Sequence, residues 1–463
     1  NYQDKYLLEV NGRYDGTSRF MKDQRWNFFP SFSLGWNVAR ENFWKPLESV
    51  VNQFKLRGSW GELGNQNTSN LYPFYEILPV KSNSGNWLVN GGKTNTADIP
   101  SLVSTLLTWE RVRSFNVGFD FGAFSNRLTG SFDYFVRKTV DMVGPAPQLP
   151  LVLGIAPAIV NNADMKSYGF EIELSWRDRI GEVDYGVKFN LADAQQKVVK
   201  YPNTTNAFND WYAGKMSGEI WGYTSLGIAK TDEEMKEHLA SLPNGGQNQL
   251  GNKWGAGDIM YADINGDGKV DGGKGTLADP GDQRIIGNST PRYNFGLVLD
   301  ASYKGFDVSI FFQGVGKRDY APIVGTNGAV FWGAVNNIWQ SMAMEEHFDY
   351  FRPEGHPMGA NLNGYYPRPD FTSNKNHQVQ TRYLQDASYI RLKNLQIGYT
   401  LPKQWINKLH INRCRVYVSG DNLWTGTSLA SMFDPETLAA GDWGSGKTYP
   451  LSKVISFGLN VNF

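Results

Sequence analysis

The chain is nearly free of cysteine. Cys414 stands alone among 463 residues, which excludes a disulfide framework and a cysteine-based zinc site. Histidine is scarce too. His238, His347, His356, His377 and His410 follow no metal-ligand spacing. Charge of one sign is missing: 45 Lys and Arg stand against 45 Asp and Glu, so nothing in the electrostatics calls for nucleic acid. No stretch approaches the roughly 18 apolar residues of a membrane helix. Repeats of fixed period are absent, which speaks against a propeller or solenoid. No signal peptide is visible at Asn1, so the expectation is that one was removed or that the chain starts downstream of it. Ser-His-Asp, phosphate-loop and dinucleotide fingerprints are missing, and the expectation is a protein that is not an enzyme.

What is present is glycine and aromatic surface. Gly accounts for 50 residues and aromatics for 14 %, while only 41 % is hydrophobic. Such a chain is either a large secreted β protein or an outer-membrane barrel, in which apolar residues occupy every second position. The period decides between them. In LSKVISFGLNVNF, Ile455, Phe457, Leu459, Val461 and Phe463 share a face opposed by Ser456, Gly458, Asn460 and Asn462. Tyr293, Phe295, Leu297, Leu299, Ala301 and Tyr303 oppose Asn294, Gly296, Asp300 and Ser302. Tyr168, Phe170, Ile172, Leu174 and Trp176 oppose Gly169, Glu171, Glu173 and Ser175. Sustained alternation means strands with one apolar and one polar face.

Twelve such strands are expected, near 5–14, 26–39, 51–61, 109–122, 126–138, 165–177, 182–194, 291–303, 305–316, 383–401, 411–422 and 449–463. Many reach the ~9–11 residues of a tilted membrane strand. Short connections (122/126, 177/182, 303/305, 401/411) alternate with long ones (139–164, 195–290, 317–382, 423–448). Segregation of loop length by parity is the mark of a barrel with short periplasmic turns and long external loops. One helix is expected in a long loop, over 231–242, with Thr231 as cap, acids in the first turn and Pro243 as stop. Arg391 and Lys393 share the phase of Leu395, Ile397 and Tyr399, and are expected to mark a strand end leaving the bilayer.

The motifs LLEVNGRYDGTSRF, FFPSFSLGWNVARENF, FKLRGSWGELGNQN, NRLTGSFDYFVRKTVDMV, DINGDGKVD, IIGNSTPRYNFGL, YKGFDVSIFFQG, ASYIRLKNLQIGYTLP and RVYVSGDNLWT, with the strand ending in Phe463, follow one another in a familiar order. Together they resemble the SusC-type, RagA-like TonB-dependent outer-membrane transporters of Bacteroidetes. The resemblance implies an all-β antiparallel transmembrane barrel of about 22 strands, of which residues 1–463 would be the C-terminal part. A plug domain, a TonB box and about ten strands would precede Asn1. It further implies active import of oligosaccharides or peptides, energised through TonB, with a SusD-like surface lipoprotein as lid. Outer-membrane lipid would surround the strands. It also implies that the insertion machinery reads the aromatic end of the last strand, carried by Phe457, Leu459, Val461 and Phe463. The competing expectation is a soluble secreted carbohydrate-binding β protein or glycosidase.

Two groups of residues carry candidate chemistry. Asp263, Asn265, Asp267, Lys269 (through its carbonyl) and Asp271 place oxygens at alternate positions, and Gly268 supplies a bend. This pattern can wrap Ca²⁺. Lys274 stands where a bidentate Glu is expected, so Asp279 or Asp282 would have to return as ligand. The alternative is a metal-free turn. The second group is the loop aromatics Trp211, Trp221, Trp332, Tyr365, Tyr366, Trp424 and Trp443, joined by Trp87, Tyr212, Trp254 and Trp339. Flat rings there would stack on sugar or peptide, or else pack among the loops. Glu171 and Glu173 share the polar face of one strand and could suggest a glycosidase pair, but line a wet wall more simply. Cys414 is expected to face lipid.

Overall fold

A computed structural model describes the chain except at residues 69–70, 145–149, 156, 323–329, 334–343, 408–409 and 439–447. Twelve long strands dominate: β1 (Tyr6–Gly16), β2 (Trp26–Asn37), β3 (Val51–Asn65), β4 (Glu110–Ala123), β5 (Leu128–Val143), β6 (Asn161–Ile180), β7 (Val183–Lys200), β8 (Arg292–Tyr303), β9 (Phe306–Lys317), β10 (Tyr389–Thr400), β11 (Arg413–Thr427) and β12 (Val454–Asn462). They form one sheet in chain order, with β1 and β12 as its edges. The expected strands are all present. Several run further at the end bearing the long connections, and β6 reaches 20 residues. The chain divides into two compact units, 1–126 with 130–171 and 194–216, and 127–129 with 172–193 and 217–463.

The tight turns follow backbone chemistry. Lys304 and Gly305 both adopt positive φ, 47° and 91°, the two-residue hairpin geometry whose twist matches that of the flanking strands. Gly181 turns β6 into β7 at φ 62°.

Register carries the two-faced pattern from strand to strand. In the first unit Val10 pairs with Phe32, Phe32 with Trp60 and Trp60 with Phe115. In the second, Val183, Tyr303, Phe306, Tyr399, Val416 and Leu459 form a row across six strands, each paired with the next. One residue further along each strand, Asp184, Ser302, Asp307, Gly398, Tyr417 and Gly458 form the opposite row. A slip of one residue would exchange the faces, so these rows fix the register. On the apolar side Phe457 remains 85 % and Leu459 64 % exposed. Faces of this kind are stable against lipid rather than water.

One phase differs from the sequence expectation. The β10–β11 register shifts between Leu392 and Asn394, and the β9–β10 register between Phe311 and Phe312. A bulge reverses side-chain parity beyond it. Leu392 pairs with Phe312 on the apolar face, while Arg391 pairs with Gln313 and is 3 % exposed. Arg391 therefore points away from the bilayer side, into an ion pair with Asp434 at 2.7 Å. Cys414 keeps the parity of Val416 and Val418, as expected, but is buried.

The long connections of the second unit are folded. Helix α1 (Asp232–Ala240) follows Thr231, whose hydroxyl accepts from the Glu234 amide. Met235 is its buried residue. The connections have a core of their own, which includes Tyr223, Ile259, Tyr261, Val270, Phe331, Trp332, Tyr366, Tyr383 and Phe433. The first unit has a smaller core of Phe20, Phe29, Leu107 and Trp109.

Candidate functional site

The polar face of the sheet is a wall of paired charges. In the first unit Arg57 donates to Asp133 at 2.8 and 3.0 Å and to Asp120 at 2.9 Å. Further along, on the face that carries Trp60 and Phe115, Arg113 donates to Glu62 at 2.8 Å, and Arg111 donates to Asp141 at 2.6 Å. In the second unit Arg292 pairs with Asp193, and Arg415 pairs with Asp307 while donating to Gln396 at 2.9 Å. Forked guanidinium–carboxylate contacts hold both partners in one geometry. Glycines make room for them. A methyl on Gly398 would fall 2.4 Å from the Arg415 guanidinium, and one on Gly118 would fall 2.6 Å from the Asp133 carboxylate. The polar side chains thus lie along the wall instead of projecting from it. Glu171 and Glu173 sit on this face of β6, as single wall carboxylates two residues apart.

Two connections, 201–291 and 318–388, are knitted together through their second-unit residues. Asp258 is fully buried. It accepts from Arg368 at 2.6 and 2.7 Å, Lys375 at 3.0 Å and Asn376 at 2.9 Å. The Tyr261 hydroxyl donates to the Lys375 carbonyl at 2.6 Å, and the Tyr223 amide to the Val379 carbonyl at 2.8 Å. A buried charge is tolerated when paired and bonded on every side. Burial pushes the hydroxyls of Tyr223, Tyr261, Tyr366 and Tyr383 above their ordinary range, so they stay neutral.

The loop aromatics are distributed differently from a binding platform. Trp332 and Tyr366 are 1 % and 2 % exposed. They are the centre of the loop core, with rings 6.1 Å apart and edge to face, so the packing alternative holds for them. Tyr365 is half-buried beside them and accepts from Gln385 at 2.9 Å. Trp211 is half-buried and packs its edge on Tyr201. Trp221 is half-buried in a short strand paired to Ile285. Trp424 pairs with Leu392 and stands exposed on the apolar face, which corrects its assignment to a loop platform. Its place above the bilayer-facing row is that of a girdle residue. Trp254 lies under the Lys375 ammonium, 4.9 Å away. Trp87 is exposed. Trp339 and Trp443 lie outside the described residues.

The 263–282 loop is built on carboxylate-to-amide bonds. Asp263 accepts from the amides of Gly266 at 2.6 Å and Gly268 at 2.8 Å, both glycines having positive φ. Asn265 accepts from Asp267, and Asp267 from the Lys269 amide. The Lys269 ammonium pairs with Asp271. This contact holds the Asp271 carboxyl below its usual range. Asp282 does return onto the loop, fully buried, accepting from Ile264, Asn265 and Asp271 amides. Burial raises its pKa against those amides. Among the described residues no three His, Cys, Asp or Glu side chains converge to hold a metal.

Phe457, Leu459 and Val461 share the apolar face, opposite Val418, Val416 and Cys414. Phe463 follows the last strand residue and is exposed.

Comparison with known proteins gives one answer. Residues 1–423 match the family described as TonB dependent receptor-like, beta-barrel. TonB-dependent receptor P3 of Formosa agariphila is 30 % identical over 100 % of this chain and 44 % of its own length. TonB-dependent receptor SusC of Bacteroides thetaiotaomicron is 23 % identical over 99 % of this chain and 42 % of its own. The chain thus spans less than half the length of these relatives. The solved RagAB peptide transporter superposes with a TM-score of 0.73 at 21 % identity, covering 100 % of this chain and 46 % of that one.

Proposed function

The chain belongs to the TonB-dependent receptor-like β-barrel family of the outer membrane, and we propose that it supplies the wall and mouth of an active importer for oligosaccharides or peptides. The observation that carries this reading is the pair of rows described above. An apolar face held in register on one side and neutralised, flat-lying polar side chains on the other suit a wall between lipid and a wet lumen. Charges neutralised in place favour passage of neutral or zwitterionic solutes over concentration of one ion sign. A SusD-like lipoprotein would close the mouth formed by the folded connections, and TonB would act through parts of the protein beyond this chain. Structural Ca²⁺ in the 263–282 loop belongs to the same proposal.

The test uses the full-length protein in its own cells. Labelled oligosaccharides and labelled peptides are offered separately, with and without a functional TonB system. Uptake of one class that stops both on deletion of the gene and on loss of TonB is the expected result. Uptake unaffected by either deletion would overturn the proposal. Purification in detergent should bring a surface lipoprotein along with the receptor.

A further inference from the structure

The segment 374–380 is a main fastening between the two folded connections. Lys375 and Asn376 bind Asp258, Asn376 also accepts from the Ile259 amide, and Val379 accepts from Tyr223. Gln380 donates to the Tyr261 hydroxyl. In the middle of this segment stands His377, 3 % exposed, and neither of its ring nitrogens has a hydrogen-bond partner. Its ring meets Trp332 edge to face at 4.5 Å. Trp332 in turn packs on Tyr383 at 4.7 Å. A neutral imidazole fits such an apolar pocket. An imidazolium there would have two N–H donors and, beyond the Ser373 backbone, no acceptor to meet them.

We infer that the fastening between connections 201–291 and 318–388 is acid-sensitive, and that His377 is the group whose protonation opens it.

The charged groups around His377 do not stabilise the protonated ring enough to keep it closed. The Asp370 carboxylate attracts a proton to it, but that carboxylate is engaged by the Thr372 amide and hydroxyl. Lys375, two residues away, is itself cationic and committed to Asp258. Tyr366 and Tyr383 are neutral. Burial outweighs the attraction and brings the imidazole from its ordinary 6.5 to about 4. The folded-state value lies below the unfolded one. Closure is therefore at full strength above about pH 6.5 and is lost as pH falls through 6.5 toward 4. A shift of this size corresponds to about a 300-fold rise in the opening equilibrium at the acid limit.

The experiment is hydrogen exchange on the full-length protein in detergent, read on peptides covering 257–262 and 374–383 between pH 7.5 and 4.5 and corrected for intrinsic rates. Wild type is expected to open progressively with acid, with a one-proton slope that reaches about 80-fold by pH 4.5. His377→Phe and His377→Gln are expected to give flat profiles. An equal acid response in either folded variant would assign the effect to the carboxylates and overturn the inference. Should neither variant fold, the wild-type titration decides: a one-proton slope beginning near pH 6.5 supports it, and protection unchanged down to pH 4.5 overturns it. The outcome is independent of what the protein transports.

Discussion

The ring of Tyr417 lies flat against Gly458 on the neighbouring strand, so close that a methyl group on that glycine would stand 2.1 Å from Cζ. The two residues pair directly in the β11–β12 register. The Arg415 guanidinium covers the ring at 5.0 Å. Gly458→Ala should push Tyr417 off the wall and cost about 1–3 kcal/mol. A fall in the unfolding midpoint of the detergent-solubilised protein would show it. Adding Tyr417→Ser, which removes the clash, should restore part of the loss.

Leu459 and Asn460 are adjacent but face opposite ways, Leu459 paired with Val416 and Asn460 with Arg415. Leu459→Arg should cost about 2–4 kcal/mol if the residue lies near the bilayer midplane. Asn460→Arg should be tolerated far better. Refolding yields into lipid vesicles would separate the two, and equal losses would refute the strand phase.

Arg391 holds two carboxylates, Asp434 at 2.7 Å and Glu436 at 3.0 Å. Arg391→Leu should destabilise the attached loop by about 3–5 kcal/mol, because it strands buried charge. Combining it with Asp434→Asn and Glu436→Gln should recover most of that. Burial pushes the Asp434 carboxyl up, but Arg391 and the amides of Leu451 and Glu436 bring it below its usual range. Its contribution is therefore present above the ordinary carboxylate pKa and fades as pH falls further. Protease sensitivity of segment 428–438, followed from pH 7 to 3, measures both effects.

Asp263 fastens the Gly266 and Gly268 amides. Asp263→Ala should loosen the loop by about 1–3 kcal/mol and raise proteolysis there while the strands still assemble. Calorimetric titration with Ca²⁺ tests the metal directly. Protection that rises with Ca²⁺ in wild type, and not in Asp263→Ala, is the expected outcome for a structural cation.

The strands were legible because membrane strands repeat a two-residue rule over many residues, as Ile455 to Phe463 does. Thr231 and Pro243 bracketed the helix through local chemistry alone. Arg391 was misread because a bulge at Lys393 has no signature in alternation: it changes parity without changing composition. Trp424 keeps the parity of Val416 and Val418, and was assigned to a loop because the strand was expected to end at 422 whereas it runs to Thr427. The Asp258 cluster was invisible because Asp258 and its partners Arg368, Lys375 and Asn376 lie more than a hundred residues apart. Nothing local marks a carboxylate as a tether. Trp332 and Tyr366 looked like a platform because loop aromatics are ordinarily surface residues, whereas these loops possess a core.

That shared core has a consequence for how the two connections can diversify. Connections that each ended in solvent could be traded between receptors one at a time. Here 201–291 contributes Asp258 and Tyr261, and 318–388 contributes Lys375, Asn376 and Trp332. A graft of either alone would leave the other with an orphaned charge and half a hydrophobic interior. The two connections therefore form one cassette of two segments separated by a hairpin, and redesign of either has to move both together.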